Sequence, residues 1–214
     1  MPRTARIVLP GVAHHITQRG NQKQVVFLDD VDRRKYCALM LENSRTHGMR
    51  ILAYCLMSNH IHIVGVPACE DSLWKVVGNT HFRYTTYFNK KYDLHGHLWQ
   101  NRYFSCPMDD SHTLNAIAYV ELNPVRAGMI DLPWDYTWSS CRAHCEICVA
   151  DDLLNLDRWR SQFSADYWRD HLKVMAEDVG FAAKIRNHTQ SGSAMGDEAF
   201  RLMVTEKLKK KVGG

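Results

Sequence analysis

Residues 50–66 read RILAYCLMSNHIHIVGV, and this stretch is the most informative part of the chain for the fold. Two apolar runs of strand length, 50–57 and 60–66, are separated by Ser58 and Asn59, which favour a turn. The pattern predicts an antiparallel β-hairpin in the interior of a sheet.

The second strand of this hairpin carries two histidines with one residue between them. Side chains alternate between the two faces of a strand, so His60 and His62 point one way while Ile61 and Ile63 point the other. Two neighbouring imidazoles backed by an apolar face make half of a site for a divalent metal ion.

The hairpin is flanked on both sides by further regular elements. Asp29 or Asp30 can cap the first predicted helix, and residues 70–72 begin the second. Outside the hairpin, the pattern predicts a strand over 13–19, a helix over 31–46, a helix to about 92, a strand over 100–108 and a helix over 111–123. This order predicts an α+β fold, a ferredoxin-like split βαβ sandwich with one antiparallel sheet and helices on one face.

The last third of the chain is more polar. It predicts a helix over 166–178 and another over 197–211, joined by a loose linker at 187–196. We therefore divide the chain into a catalytic domain, 1–148, and a helical C-terminal extension, 149–214. The basic run 207–211 is expected to contact nucleic acid weakly and without sequence preference.

The composition is that of a globular protein, with 45% hydrophobic and 23% charged residues in 214. The net charge of +4 fits a nucleic-acid partner without requiring one. No apolar run reaches about 18 residues and none follows Met1–Arg6, so we expect neither a membrane span nor a signal peptide. Seven cysteines, an odd number, favour reduced thiols and a cytoplasmic location.

A second fragment with chemical potential lies in the predicted helix 111–123. Tyr119 and Asn123 are four residues apart and share a helix face, whereas Glu121 points elsewhere. Pro124 disfavours a helical conformation at Asn123, so we expect the helix to end there, with Asn123 at an exposed rim.

Together the two fragments suit phosphoryl transfer. Mg²⁺ or Mn²⁺ accepts imidazole nitrogens and an amide oxygen while keeping positions open for phosphate. A tyrosine hydroxyl can attack the phosphate and conserve the bond energy in a phosphotyrosine. Each fragment alone has a plainer reading, since an isolated His-x-His pair is more often structural and a helical tyrosine usually packs. Cys141, Cys145 and Cys148 lack the paired spacing of a zinc site, so we expect no metal there.

Longer motifs connect the two fragments. The stretches 54–62 (YCLMSNHIH) and 119–128 (YVELNPVRAG) resemble the HUH single-tyrosine transposases of the IS200-like superfamily, and within it the REP-associated tyrosine transposases. The segments 11–21, 98–103 and 138–140 match the same pattern. The resemblance covers about residues 5–145.

The resemblance implies a role for each matched residue. His60 and His62 become the metal-binding pair, Tyr119 the nucleophile that forms a 5′-phosphotyrosine, and Asn123 a polar third ligand. Ser58 departs from the proline that relatives commonly carry, which should loosen the turn without removing a ligand.

The resemblance also implies a substrate, single-stranded DNA beside a palindromic hairpin of the REP type, and a Mg²⁺ or Mn²⁺ cofactor. A monomer and a homodimer both fit. The candidate DNA contacts are Arg19, Asn21, Arg83, Arg102 and Arg126. Two alternatives stay open: a replication-initiator or relaxase-type HUH nickase, and a non-catalytic nucleic-acid-binding regulator.

Overall fold

The computed structural model describes residues 7–212, without the side chains of 210–212. Met1–Arg6 and the side chains at the end of the basic run 207–211 lie outside the described residues, as does any contact they make with nucleic acid. Among the described residues, no helix is both long enough and apolar enough to span a membrane.

Four strands form one antiparallel sheet in the spatial order β2-β3-β1-β4. They are β1 (Ala13–Arg19), β2 (Met49–Met57), β3 (His60–Pro67) and β4 (Phe104–Met108). β2 and β3 form the expected hairpin, with Met57 opposite His60 across the two-residue turn. The α+β ferredoxin-like fold is confirmed, since β1 lies between β3 and β4 as split βαβ topology requires.

Two helices cover one face of the sheet. α1 (Asp30–His47) begins with a capping box between Asp29 and Asp32, and α2 (Ser72–Tyr92) packs along it. The apolar side chains between these helices and the sheet include Ile61 and Ile63, as strand alternation predicts. This half of the core leaves the histidine face of β3 free for another layer.

That other layer begins with α3 (Asp110–Glu121), which Asp109 caps through its carboxylate. α3 ends two residues before the expected end at Asn123. A short turn of helix, α4 (Asn123–Arg126), follows it, so the expectation that Asn123 is non-helical is wrong. Pro124 sits in the first turn of α4, where no intrahelical partner is needed for the missing N–H, and helical structure therefore resumes there.

The C-terminal extension packs on the same face as α3. It follows the short α5 (Cys141–His144) and contains α6 (Leu156–Arg160), α7 (Ala165–Glu177), α8 (Val179–Ser191) and α9 (Glu198–Val212). Trp168 of α7 and Ile185 of α8 are wholly buried in one cluster with sheet and α3 side chains. Helices therefore lie on both faces of the sheet, not on one face as expected. The reason is that the second face of the sheet also carries apolar side chains, which must be buried.

Two local expectations need correction. The first half of the expected linker 187–196 is helix, because α8 runs to Ser191 between an Asp178 cap and a left-handed Gly192. The fourth strand starts at Phe104 rather than at Gln100, since Asn101 adopts a positive φ of 55° that extended backbone does not allow. The division at 148/149 stays a prediction.

Candidate active site

Residues from both halves of the chain line one cavity of about 560 Å³ on the histidine face of the sheet. His60 and His62 come from β3, Tyr119 from α3 and Asn123 from α4. The structure thus brings the two sequence fragments together within a single chain. Each side chain has a distinct set of contacts.

His60 lies at the start of β3 and is oriented by its neighbour. Its Nδ1 is 2.7 Å from Asn59 Oδ1, and an amide oxygen can only accept, so Nδ1 carries the proton. The lone pair is then on Nε2. Burial lowers the pKa of His60 to about 4, with the nearby charge of Arg19 adding to the effect, so the ring is neutral at pH 7.

His62 lies deeper, with 7% of its surface exposed. Its ring centroid is 5.1 Å from that of His60, and the two ring planes are nearly perpendicular at 81°. Its Nδ1 is 2.9 Å from Nε2 of His15 on β1. Burial holds the pKa of His62 well below its usual value, and the neighbouring His15 and His60 contribute further.

His15 is a buried third histidine at this site, one to which the sequence patterns assigned no role. It shares a sheet face with Thr17, which lies opposite His62, so His15 meets His62 diagonally across the two strands. Its Nδ1 is 2.7 Å from the hydroxyl of Thr189 on α8. Burial lowers the pKa of His15 to about 3.

Tyr119 lies against the two inner histidines and is 3% exposed. Its ring centroid is 5.7 Å from that of His62 and 5.6 Å from that of His15. Among the described residues no side chain hydrogen-bonds to its hydroxyl. Burial raises the pKa of Tyr119, while the positive charges of Arg126 and Arg186 act against that rise.

Arg126 is the nearest cation to the tyrosine. Its guanidinium carbon lies 4.3 Å from the centre of the Tyr119 ring, and Nη2 donates a hydrogen bond to the Tyr119 carbonyl oxygen. A cation in this position stabilises a tyrosinate relative to the neutral phenol.

The side chain of Asn123 is oriented by the end of α3. Its Nδ2 donates to the carbonyl oxygens of Tyr119 and Val120, each at 3.2 Å. Because two carbonyl oxygens would repel an amide oxygen, the nitrogen must occupy this position. Oδ1 is therefore the atom that Asn123 can offer to a ligand in the cavity.

His60, His62 and Asn123 are the residues that could hold a divalent metal ion. All three side chains line the cavity, and imidazole nitrogens and an amide oxygen are both metal ligands. Within residues 7–212 no group of three or more histidine, cysteine, aspartate or glutamate side chains is arranged to hold a metal ion. His15 is not a candidate ligand, since His62 and Thr189 occupy both of its nitrogens.

The expected DNA contacts occupy different places. Arg19 lines the cavity and Arg126 borders it against Tyr119, whereas Asn21 follows β1 at the start of a 3₁₀ turn. Arg102 lines a neighbouring groove of about 410 Å³. Arg83 is not brought to the site, because it lies on α2 and pairs with Glu42 at 2.7 Å.

Sequence reasoning missed the contribution of α8 to the cavity. Arg186, Thr189 and Gln190 all line it, and each lies within or beside the segment expected to be a linker. The available signals were Asp178 and Gly192, a cap residue and a left-handed terminator about one helix length apart.

Comparison with known proteins supplies the family. The model of the family described as "Transposase IS200 like" matches residues 9–123. A solved structure of a REP-associated tyrosine transposase bound to a REP hairpin has a TM-score of 0.56 and 16% identity, covering 72% of this chain and 94% of its own. That likeness shows the shared fold. No curated protein sequence matches the chain.

A second solved structure, of a Deinococcus radiodurans R1 protein described as a candidate transposase, is also similar to part of the chain. It has a TM-score of 0.39 and 16% identity, and the match covers 60% of this chain and 92% of its own.

Proposed function

The chain belongs to the IS200-like transposase family, and on that premise we propose that it cleaves and rejoins single-stranded DNA through a covalent 5′-phosphotyrosine at Tyr119. One observation carries the proposal. Tyr119 from α3, the His60–His62 pair from β3 and Asn123 from α4 line a single cavity. A packing tyrosine and a structural histidine pair have no reason to share a cavity with an oriented amide.

Tyr119 supplies the nucleophile in this reaction. Its hydroxyl oxygen forms a bond to phosphorus while the bond from phosphorus to the 3′ oxygen breaks. The tyrosine loses its proton as it attacks, and the departing 3′ oxygen gains one. Reversal by another 3′-OH joins a new strand without an external energy source.

Arg126 favours this attack electrostatically. Its guanidinium lies 4.3 Å from the centre of the Tyr119 ring, so it stabilises the negative charge that forms on the phenol oxygen. Arg186, on the cavity wall, acts in the same direction on Tyr119 and is exposed enough to meet a DNA phosphate. Both cations offset the effect of burial, which alone would keep the phenol protonated.

His60, His62 and Asn123 would hold the metal ion. Bound Mg²⁺ or Mn²⁺ would polarise the scissile phosphate and neutralise charge on the departing 3′ oxygen. The neutral imidazoles offer ring-nitrogen lone pairs, and Asn123 offers Oδ1. These residues also fix the position of the phosphate in front of Tyr119.

We propose a hairpin-bearing single strand of the REP type as the DNA substrate. Arg19 lies beside His60 on the cavity wall and is exposed, which suits a phosphate contact next to the cleavage point. Asn21 and Arg102 extend this surface away from the cavity. Trp74 and Phe82 line the same groove as Arg102. They are 55% and 74% exposed, so their rings are available for stacking on bases.

The test is formation of a covalent protein–DNA adduct. Incubating the protein with labelled single strands and Mn²⁺ should give a band that survives SDS with a hairpin substrate, and none when EDTA is added. Tyr119→Phe should lower adduct formation at least about a thousandfold, since a required nucleophile is removed. Its affinity for the hairpin should stay within about twofold.

Tyr136→Phe is the matched control. Tyr136 is also a buried tyrosine on this side of the sheet, but its hydroxyl donates to the Leu56 carbonyl at 2.8 Å instead of facing the cavity. This variant should still form the adduct. A Tyr119→Phe protein that forms the adduct at the normal rate would show that another residue is the nucleophile.

A further inference from the structure

A chain of hydrogen bonds joins α8 to the histidine pair of β3. The Thr189 hydroxyl lies 2.7 Å from the Ile185 carbonyl oxygen and 2.7 Å from His15 Nδ1. His15 Nε2 lies 2.9 Å from His62 Nδ1. Thr189 and His15 are each 1% exposed, so water does not compete for these bonds.

The bond from Thr189 to the Ile185 carbonyl oxygen determines which atom donates in each of the other hydrogen bonds. A backbone carbonyl oxygen can only accept, so Thr189 uses its single hydroxyl proton on Ile185. The Thr189 oxygen must then accept from His15, and its second lone pair faces Cys106 Sγ at 3.3 Å, where the thiol can donate. All three contacts of the Thr189 hydroxyl are accounted for in this arrangement.

The position of the proton on His62 follows from the same assignment of donors and acceptors. With Nδ1 of His15 donating to Thr189, the other nitrogen of a neutral His15 is an acceptor. His62 must therefore donate from Nδ1, which leaves its Nε2 without a proton. That is the form of imidazole that binds a metal ion, and it is the partner of the second nitrogen that selects it.

We propose that Thr189 and His15 are positioning residues that fix the tautomer of His62, so that the metal-binding nitrogen of His62 is bare before any metal arrives. This inference rests on the proposed function, since it assigns a role to residues behind one ligand of that site. The helical C-terminal extension thereby completes the site, because Thr189 is supplied by α8, 174 positions along the chain from His15.

Histidine tautomers can be read directly in the metal-free protein. Long-range ¹H–¹⁵N spectra of ¹⁵N-histidine-labelled protein distinguish a protonated Nδ1 from a protonated Nε2. We expect His15 and His62 both to be protonated at Nδ1 in the wild type. In Thr189→Val, which keeps the shape and removes the hydroxyl, the signal of His62 should change to a mixture of the two tautomers.

Two further variants serve as controls. Thr189→Ser keeps the hydroxyl and should restore the wild-type spectrum. Thr205→Val removes a hydroxyl that makes the same kind of bond, to the Arg201 carbonyl at 2.8 Å, on an exposed face of α9. It should leave the tautomers of both histidines unchanged, so a general loss of helix stability is separated from the specific effect.

Mn²⁺ affinity gives a second readout that does not depend on DNA cleavage. Titration followed by electron paramagnetic resonance should show about 10- to 100-fold weaker binding in Thr189→Val and near-normal binding in Thr189→Ser. A His62 protonated at Nε2 in the wild type would overturn the proposal. So would Thr189→Val with unchanged tautomers and unchanged Mn²⁺ affinity.

Failure of the proposed function would look different. A wild-type protein with His62 protonated at Nδ1, but with no DNA adduct, would contradict the transposase chemistry. The tautomer assignment would still be supported.

Discussion

Both sides of α3 carry polar side chains, but these side chains are fully hydrogen-bonded on one side only. On the side away from the cavity, Glu121 is completely buried and its carboxylate has three donors. Ser140 Oγ and His144 Nδ1 each lie 2.6 Å from it, and Trp168 Nε1 lies at 2.8 Å. Side chains from α7 and from around α5 are thus tied to α3 through one carboxylate.

On the cavity side, two residues of α3 and α4 keep polar atoms free. The Tyr119 hydroxyl has no side-chain partner among the described residues, and Asn123 commits only its nitrogen. The bonds that do exist here orient the side chains and leave the reactive oxygens available. Satisfied polar groups hold α3 in position, whereas unsatisfied ones face the cavity proposed to bind DNA.

The largest effect on stability is expected at Glu121. Glu121→Ala leaves two buried donors, His144 Nδ1 and Trp168 Nε1, without an acceptor, which should lower the free energy of unfolding by about 3–5 kcal/mol. Tyr119→Phe removes a hydroxyl that has no side-chain partner, so it should change stability by less than about 1 kcal/mol. Urea denaturation measures both. Equal losses in the two variants would contradict the difference between the sides.

A smaller effect should appear on acidification. His15 has a pKa of about 3 in the folded protein, against an ordinary value near 6.5 once unfolded. Below pH 6.5 His15 is protonated in the unfolded chain but stays neutral in the folded chain. The free energy of unfolding therefore falls as pH falls. From pH 7 to 5.5 this residue should contribute a loss of about 1 kcal/mol.

His15→Gln isolates that contribution. Glutamine does not take up a proton in this range, so the variant should lose less stability than the wild type between pH 7 and 5.5. Urea denaturation at the two pH values gives the difference. An identical loss in both proteins would show that His15 is not the neutral buried group described above.

The last expected effect is on a rate rather than on stability, and it concerns the cation beside Tyr119. Arg126→Met removes the charge over the Tyr119 ring, so the pKa of Tyr119 should rise and the rate of adduct formation at neutral pH should fall. A neighbouring opposite charge shifts a pKa by about one unit or more, so we expect a rate loss of roughly tenfold. The pH–rate profile should shift to higher pH.

Arg83→Met is the matched control for that experiment. Arg83 on α2 was also a candidate DNA contact, but it pairs with Glu42 on α1. Its loss should leave the pH–rate profile unchanged. A profile that shifts equally in both variants would mean that net charge, not the position of Arg126, controls the tyrosine.

Local patterns in the sequence predict much of this molecule. The two apolar runs in 50–66 and the turn between them are enough for the hairpin, and strand alternation is enough for the shared face of His60 and His62. The four-residue spacing of Tyr119 and Asn123 is enough for their common orientation, and it also sets Glu121 apart. Each of these relations holds within one strand or one or two turns of helix.

The rest depends on contacts between distant parts of the chain. Nothing near His15 indicates that Thr189 will lie against it. The sequence NHTQS at 187–191 has the polar composition of a loop, yet it forms a helix because Ile185 and Phe181 pack into the core. Tertiary burial overrides weak local preference here, and the residues behind His60 and His62 were missed for that reason.

The most direct measurement is to locate the covalent bond. After reaction with a hairpin-bearing single strand and Mn²⁺, nuclease and trypsin digestion should leave nucleotide on the peptide 103–126, which contains Tyr103 and Tyr119. Fragmentation by mass spectrometry should assign the phosphate to Tyr119. Phosphate on Tyr103 or on another residue, or cleaved DNA without any adduct, would contradict Tyr119 as the nucleophile of this site.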